Sequence, residues 1–416
     1  MNATGVDQSN VHTVIQERQL TVELPFAKMD PSDLHRIFSL GRRPRHSRRW
    51  LAFAIVVAAA MAALPVAGLL PWQGSTPATK RLEVVATVPY WNLAAGGQSV
   101  ITNRGSFTGA SPWIYSVGLD GGVVSQVPPE SARQAADVVA KLQKTGVPLM
   151  PTISNHRAGS WDSELIHRII HDPGLRSRHV QAIVDLVAKH HYAGVDIDYE
   201  ELLAGDRAAL SAFIVQLASA LHSKQKRLSV DVFAKTTDRG YDQRNLAQDY
   251  AALGAAADEI RIMAYDWHWS SSAPGAVAPL NWVSDVLQYA ASQIPRAKII
   301  LGVPMYGYDW VGTKGELVSW IQAYQRSRAN DSVVHWDKLA QTPWFTYESA
   351  KGERHTVWFE NAYSSSAKIA LAKSVGVGGI YLWLPGDEDD LIWSRLPSVK
   401  SGGESPASAL PVKGRR

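Results

Sequence analysis

The strongest constraint on the fold is a regular alternation of short β-rich runs with segments of helical periodicity. Between the runs, apolar residues recur at helical spacing, as in the series Val180, Ile183, Val184, Val187 and the series Leu210, Phe213, Ile214, Leu217. Strict alternation predicts parallel strand pairing, and eight such units are typical of a closed α/β barrel, the (β/α)8 or TIM barrel. An open doubly wound sheet is the alternative, but no glycine-rich phosphate turn follows the first run. The eight runs lie at residues 83–91, 111–119, 147–154, 193–200, 228–235, 259–266, 298–308 and 379–386.

The connection between the seventh and eighth runs is much longer than the others. It contains "WFTYES", the turn "AKGE" and "HTVWFENA", a pattern that predicts a β-hairpin. We therefore expect a small α+β insertion at about residues 312–376, within a barrel domain that spans residues 81–400.

An uncharged run of 20 residues at 51–70 follows the arginine-rich stretch "RRPRHSRRW". Such a run can just cross the hydrocarbon core of a bilayer, and basic residues before it favour an N-terminus inside the cell. We expect one transmembrane helix at 50–70 and a barrel outside the cytoplasm, so the protein is predicted to lie in the cell membrane. A cleaved signal peptide, which would give a secreted protein, and a buried core helix are the alternatives. The flanking predictions are a cytoplasmic tail at 1–49, a linker at 71–80 and a disordered tail at 401–416.

Composition excludes several kinds of function. The chain has no cysteine, which removes disulfides, thiolate catalysis and cysteine-bound metals from consideration. The net charge of +4 is concentrated in the first 50 and last 17 residues, so the middle of the chain is slightly acidic. A basic surface for nucleic acid is therefore not expected. We also expect no cofactor. We expect a monomer.

The fourth run, "AGVDIDYE" at 193–200, carries three carboxylates at every second position. Side chains alternate faces along a strand, so Asp196, Asp198 and Glu200 share one face. In a parallel barrel strand the outer face packs on helices, so these acids point into the barrel, with Glu200 at the C-terminal end where barrel sites lie. Three like charges in a partly desolvated site predict at least one raised pKa. A half-exposed strand with a solvated acidic face is the non-functional alternative.

Two kinds of chemistry are open to such a row of acids. They could hold a divalent metal through oxygen ligands, or they could serve as acid and base on a glycosidic bond. The chain has 15 tryptophans, and several aromatic residues fall at predicted strand ends, where their rings would suit the faces of sugars. They are Tyr90, Trp91, Tyr265, Trp267 and Trp383.

Three motifs in this order resemble glycoside hydrolase family 18, the chitinase-like barrel enzymes. The family signature DGxDxDxE matches residues 193–200, its MxYD motif matches Met263 to Asp266, and its strand-eight tryptophan matches Trp383. The spore-cortex-lytic N-acetylglucosaminidase subgroup is similar in further stretches, although no LysM repeat is found. These stretches are "SAPGAVAPLNWV" at 272–283, "LGVPMYGYDW" at 301–310, "VWFENAYS" at 357–364 and "LWLPGDED" at 382–389.

The resemblance implies a retaining mechanism in which the 2-acetamido oxygen of the substrate is the nucleophile. Glu200 would be the general acid and then the general base, and Asp198 would bind the acetamido N–H. Asp196 would share a proton with Asp198, and Tyr265 would donate to the acetamido carbonyl oxygen. Trp383 would form the floor of the cleavage subsite.

Further substrate contacts are expected around this centre, and no metal ligand is expected in it. Asp266 is the first of them, and the others are Tyr90, Trp91, Thr152, Asn155, Met263, Trp267 and Tyr306. The chain departs from the family pattern at Ala193, which replaces the first Asp of the signature. It also departs at residues 152–155, where "TISN" replaces SxGG and where Thr152 would place a hydroxyl near Asp196.

The sequence therefore predicts a glycosidase that cleaves β-1,4 N-acetylglucosamine linkages in peptidoglycan, chitin or a related glycan. A chi-lectin, which is a family 18 barrel that binds such glycans without cutting them, is the alternative from another functional class. Inactive members usually lose the acid, and Glu200 is present here.

Overall fold

The computed structural model describes residues 82–157 and 159–396. Within these residues, no helix combines the length and the apolar character that crossing a membrane requires. The predicted cytoplasmic tail, membrane span, linker and C-terminal tail all lie outside the described residues.

The described strands and helices alternate through most of the chain. The strands are β1 Glu83–Pro89, β2 Gly109–Val117, β3 Val123–Ser125, β4 Thr152–Ser154, β5 His156–Arg157, β6 Ser160–Trp161, β7 Gly194–Asp198, β8 Arg227–Phe233, β9 Glu259–Met263, β10 Ile299–Pro304, β11 Tyr306–Val311, β12 Lys314–Ser319, β13 His335–Asp337, β14 Thr342–Glu348, β15 Arg354–Phe359 and β16 Gly379–Trp383. The α-helices are α1 Leu93–Thr102, α2 Ala132–Lys144, α3 Ser163–His171, α4 Pro173–Lys189, α5 Arg207–His222, α6 Gln243–Leu246, α7 Tyr250–Ala256, α8 Leu280–Gln293, α9 Trp320–Ala329, α10 Ala362–Val375 and α11 Ile392–Arg395.

Eight parallel strands form a closed barrel. Their order around the barrel is β1, β16, β10, β9, β8, β7, β4 and β2, and β1 also pairs with β2, which closes the ring. Each of the eight predicted runs contributes one of these strands, so the predicted (β/α)8 barrel is confirmed. The short strand β3 adds an antiparallel edge to β2.

The barrel helices bury the apolar stripes that their spacing predicts. Val180, Ile183, Val184 and Val187 of α4 are all buried, and so are the four apolar residues of the stripe on α5. These side chains join the main core between the strands and the helices. Capping residues mark the N-terminus of α4. The Asp172 carboxylate accepts from the Leu175 N–H at 2.8 Å, and Pro173 occupies the first turn of the helix.

The long connection before β16 forms a separate antiparallel sheet of five strands. The order in this sheet is β12, β11, β15, β14 and β13, and α9 packs on it. The hairpin predicted from the sequence is present as β14 and β15. The sheet has its own apolar core, which contains Val318, Phe345, Val357 and Phe359.

The bounds of this insertion differ from the expected residues 312–376. The run at 298–308 divides at Met305 into the barrel strand β10 and the insertion strand β11, because Tyr306–Val311 pairs antiparallel with both β12 and β15. At the other end, α10 packs on the barrel elements α8, β10 and β16 and also contacts β14 of the insertion. The inserted sheet therefore spans residues 306–359.

Candidate active site

The strand β7 places its acids as the alternation predicts. Val195 and Ile197 point outward into the main core, whereas Asp196 and Asp198 occupy the opposite face and are also buried. Glu200 follows the C-terminal end of the strand and is half-buried. The three acids therefore form a row that runs from the barrel interior to its open end.

Asp196 is held by groups from two other strands. Its Oδ2 accepts from the Thr152 hydroxyl at 2.8 Å and lies 3.0 Å from the Arg261 guanidinium nitrogen Nη1. Both partners are fully or almost fully buried. Thr152 therefore supplies the hydroxyl near Asp196 that the sequence predicts, from a side chain with no exposed surface. Its contact with substrate stays a prediction.

Asp231 of β8 is a fourth acid at this centre that the sequence analysis did not identify. It is buried and lies within hydrogen-bonding reach of Asp196. Burial raises the pKa of Asp231 well above its ordinary range, and the negative charges of Asp196 and Asp198 raise it further, whereas Arg261 opposes them. Among the described residues, Oδ1 of Asp231 and Oδ1 of Asp196 have no hydrogen-bond partner. A proton on Asp231 lets this carboxyl donate to Asp196.

Asp198 is buried beside an indole. The Trp113 Nε1–H donates to Asp198 Oδ2 at 2.9 Å, and Oδ1 has no partner among the residues that the structure describes. Burial raises the pKa of Asp198 to about 7; the Trp113 hydrogen bond opposes this shift, and the charge of Asp196 adds to it. Asp198 therefore changes charge near neutral pH and keeps one oxygen available for a donor.

The backbone of Glu200 is fixed by hydrogen bonds to the Asn155 side chain. The Glu200 N–H donates to Asn155 Oδ1 at 2.9 Å, and Asn155 Nδ2 donates to the Glu200 carbonyl oxygen at 2.9 Å. The Asn155 side chain is fully buried and bonds this backbone through both ends of its amide, so it positions the acid. Its contact with substrate stays a prediction.

The environment of Glu200 favours its protonated form. Burial raises its pKa well above the ordinary range, and the nearby charge of Asp198 raises it further, while Arg244 opposes the shift. The next residue, Glu201, has a left-handed backbone with φ of 58° and accepts from the Arg244 guanidinium at 2.7 Å. Such conformations persist where surrounding contacts fix them, and they are common at functional sites.

Tyr265 follows β9 and meets the last barrel strand. Its hydroxyl hydrogen-bonds to the Tyr381 hydroxyl at 2.9 Å, and its ring stacks on Trp383 with centroids 6.4 Å apart. Gly302 makes this approach possible, since a Cβ there would lie 2.8 Å from the Tyr265 ring and 2.8 Å from the Tyr381 hydroxyl. Burial raises the pKa of Tyr265 well above its ordinary value, so the phenol remains a donor.

Asp266 is fixed by the inserted sheet. It has φ of 56°, and its Oδ1 accepts from the Tyr306 hydroxyl at 2.7 Å and from the Tyr308 hydroxyl at 3.3 Å. Tyr306 is buried and supports Asp266 through its hydroxyl. Its contact with substrate stays a prediction. Asp266 itself is exposed and remains open to a ligand.

Aromatic rings line the same end of the barrel. Trp91 is 57% exposed, and its ring meets the edges of Trp113 and Trp383. Tyr90 stacks on Trp113 with centroids 6.0 Å apart. These predicted residues and Trp113 form a continuous aromatic wall that reaches Asp198.

Two further predicted contacts have exposed surface. Trp267 is 44% exposed and packs on Trp282, with ring centroids 5.1 Å apart. Met263 ends β9 and is partly exposed.

The sequence contained signals for the supporting residues that it did not identify. Asp231 and Arg261 are charged residues inside two predicted core strands, "LSVDVFAK" and "EIRIMAYD". A charge on a barrel strand needs a partner across the interior, and these two face Asp196. Trp113 and Tyr381 carry no such signal, because aromatic residues are common in ordinary cores.

Comparison with known proteins places this geometry in a family. The model of glycosyl hydrolases family 18 matches residues 115–388, a stretch that contains all four barrel acids. The chain belongs to glycosyl hydrolase family 18. The recognition of this family from the three sequence motifs is confirmed.

Individual relatives of this chain include proteins named for spore and cortex functions. The chain is 33% identical over 279 residues to YdhD of Bacillus subtilis, named as a sporulation-specific glycosylase, with 65% of this chain and 63% of YdhD covered. It is 32% identical to the cortical fragment-lytic enzyme of the same organism, with 56% of each chain covered. The match therefore spans less than two thirds of the length of these two relatives.

Solved structures show the same architecture. A chitinase from Chromobacterium violaceum superimposes with a TM-score of 0.71 at 31% identity, covering 76% of this chain and 98% of the chitinase. The spore cortex-lytic enzyme SleL of Bacillus cereus gives a TM-score of 0.70 at 27% identity, covering 78% of this chain and 77% of SleL.

Proposed function

We propose that this chain is a glycosidase that cleaves β-1,4 linkages of N-acetylglucosamine in peptidoglycan, chitin or a related glycan, with retention of configuration. The observation that carries the proposal is the pairing of Glu200, whose raised pKa favours its acid form, with Asp198, whose buried Oδ1 has no partner among the described residues. Hydrolysis assisted by the acetamido group of a substrate requires a proton donor for the leaving oxygen and an acceptor for the acetamido N–H. The cortex-lytic and chitinase relatives support this substrate class.

The proposed first step uses the substrate as nucleophile. Glu200 gives its proton to the glycosidic oxygen as the C1–O bond breaks, and the acetamido carbonyl oxygen bonds to C1. Asp198 accepts from the acetamido N–H, while the Tyr265 hydroxyl donates to the acetamido oxygen. Asp198 is positioned by Trp113, and Asp196 and its partners lie behind it.

The proposed second step releases the product. The Glu200 carboxylate takes a proton from water, the water oxygen bonds to C1, and the bond from C1 to the acetamido oxygen breaks. Glu200 is thereby protonated again, as the first step requires. Attack by the substrate's own oxygen and then by water inverts the centre twice, which retains its configuration.

The decisive experiment compares the full chain with Glu200→Gln on peptidoglycan and on chitin oligomers, measuring the release of reducing ends. We expect the variant to lose activity by about a hundredfold or more, because general acid and base catalysis contributes about 10²- to 10⁴-fold. Equal activity in the variant and the parent would show that Glu200 is not the general acid and base. Binding of oligomers by the parent without release of reducing ends would instead identify a chi-lectin.

A second measurement tests participation of the acetamido group. A thiazoline that mimics the cyclic intermediate is expected to inhibit competitively, and Asp198→Asn is expected to weaken its binding. Activity is expected to persist after treatment with EDTA, since no step uses a metal. Loss of activity on chelation, with recovery on adding metal, would favour metal-assisted hydrolysis.

We also propose that the enzyme acts outside the cytoplasm, held to the membrane by residues 50–70. The support is the uncharged run of 20 residues and its arginine-rich N-terminal flank. The proposed substrates are consistent with this location, because they are polymers of cell walls and other extracellular matrices.

A further inference from the structure

A cluster of two histidines and one aspartate lies outside the glycosidase machinery. His167 and His171 are four residues apart on α3, which puts their rings on one face of the helix. The Nδ1 atom of His167 lies 2.6 Å from Asp206 Oδ1, and the Nε2 atom of His171 lies 3.0 Å from the same oxygen. All three ligand atoms lie within 4.8 Å of one another.

Asp206 is held rigidly at this point. It is buried, and its second oxygen, Oδ2, accepts from the Leu203 N–H at 3.0 Å. That contact leaves Oδ1 directed at the two imidazole rings. The histidine side chains are 55% and 43% exposed, so an ion from solvent can reach the cluster.

We propose that His167, His171 and Asp206 form a binding site for a divalent transition-metal ion. Two imidazole nitrogens and one carboxylate oxygen suit Zn²⁺, Ni²⁺ or Cu²⁺, with water completing the coordination. Tetrahedral ligands about 2.0 Å from Zn²⁺ lie about 3.3 Å apart. The exposed His167 ring therefore needs to move by less than about 1 Å from its present contact with Asp206 to share an ion.

The site joins two segments that follow neighbouring barrel strands. Helix α3 belongs to the connection after β4, whereas Asp206 lies six residues beyond Glu200 in the connection after β7. A bound ion fixes α3 against the segment that begins at Glu200. Its role is structural and separate from the proposed hydrolysis, so failure of either proposal leaves the other standing.

The test uses the full chain without a polyhistidine tag, since such a tag would itself bind these ions. After removal of metal with EDTA, Zn²⁺ is titrated by calorimetry, and thermal unfolding is followed with and without Zn²⁺. We expect one site that is lost in His167→Ala and in His171→Ala. We also expect a large excess of Zn²⁺ to raise the unfolding midpoint of the parent by about 3 °C or more, with no rise from this site in either variant.

A matched control is His222→Ala. His222 is also exposed and lies 2.9 Å from Asp258, but this contact has no second histidine. This variant is expected to bind Zn²⁺ like the parent and to show the same thermal shift. The proposal is overturned if the parent does not bind Zn²⁺, or if the α3 variants bind it with the stoichiometry and affinity of the parent.

Discussion

Asp198 keeps a proton up to a pH of about 7 because the folded barrel withholds solvent from it and places Asp196 nearby. In the unfolded chain an aspartate ionises near pH 4. Between about pH 4 and pH 7 the folded state therefore binds one more proton at this residue than the unfolded state does. The free energy of unfolding consequently falls as the pH rises through this window.

Asp198→Asn should remove this dependence. The amide stays neutral, and its carbonyl oxygen can still accept from Trp113. We expect the variant and the parent to have similar stability at pH 4 and the variant to be more stable at pH 8, by about 1–3 kcal/mol. Urea unfolding at the two pH values measures the difference. A variant that is less stable than the parent at pH 8 would contradict the assigned charge change.

Asp231 is a second acid whose role depends on its proton. A neutral carboxyl at Asp231 can donate to Asp196, so Asp231→Asn replaces one neutral donor with another, whereas Asp231→Ala removes the donor. We expect the Asn variant to keep activity within about fivefold of the parent. The Ala variant is expected to lose about tenfold or more in kcat and about 1–3 kcal/mol of stability.

Steady-state kinetics and urea unfolding on both variants distinguish the two outcomes. Equal losses in kcat for Asn and Ala would mean that Asp231 acts as a carboxylate and not as a neutral donor. The dependence of kcat/KM on pH gives an independent check. Loss of a carboxylate charge at Asp231 would lower the pKa of Asp198, so any inflection of the profile that reports Asp198 would move to lower pH.

The row of acids could be predicted from the sequence, whereas most of the side chains that contact these acids could not. Alternation along one strand is a local property, so Asp196, Asp198 and Glu200 could be placed on one face from their spacing alone. Asp231, Arg261 and Trp113 reach the row from other strands. Which side chains meet across a barrel depends on strand register and tilt, and these are not encoded in any one strand.

Individual strands were predicted reliably where they are buried on both sides. The exception is the run at 298–308, which divides between the barrel and the insertion. Tyr306, Tyr308 and Trp310 of β11 continue the apolar character of β10, so composition alone could not reveal the change from parallel to antiparallel pairing. The same cluster includes Tyr265 and Trp383, which joins the inserted sheet to the candidate site.

In strand β10, the absence of a side chain at Gly302 leaves room for Tyr265 and Tyr381. A methyl group at Gly302 would lie 2.7 Å from the Ile262 carbonyl oxygen and 2.8 Å from both Tyr265 and Tyr381. We expect Gly302→Ala to displace the two tyrosines, to lower kcat/KM about tenfold or more, and to cost about 1–3 kcal/mol of stability. Activity on chitin oligomers and thermal unfolding measure these effects.

Gly109→Ala is the matched control on barrel strand β2. Its added methyl group would meet nothing closer than 3.6 Å, which is an ordinary van der Waals contact. Activity close to that of the parent is expected. If the two alanine variants behaved alike, the space at Gly302 would not be what places Tyr265.

The barrel as a whole could be predicted from the spacing of apolar residues, because each strand and helix buries a regular apolar face. The proposed attachment of that barrel to the membrane rests on the sequence of residues 50–70, which lie outside the described residues. Their 20-residue uncharged run from 51 to 70 is long enough to span about 30 Å of hydrocarbon as a helix. Arginines before the run favour retention of this end inside the cell.

The full chain is therefore expected to sediment with membranes and to resist extraction at alkaline pH. A double substitution of Val57→Arg and Ala60→Arg places two charges near the middle of the run, at about 2.5–3.5 kcal/mol each for insertion, and should move the protein out of the membrane fraction. Val57→Leu is the control and should remain in the pellet. Immunoblots of the fractions measure the distribution, and mass spectrometry of the mature chain shows whether the N-terminus is retained. A shortened chain in the medium would identify a cleaved signal peptide, whereas an intact parent in the soluble fraction would exclude the anchor.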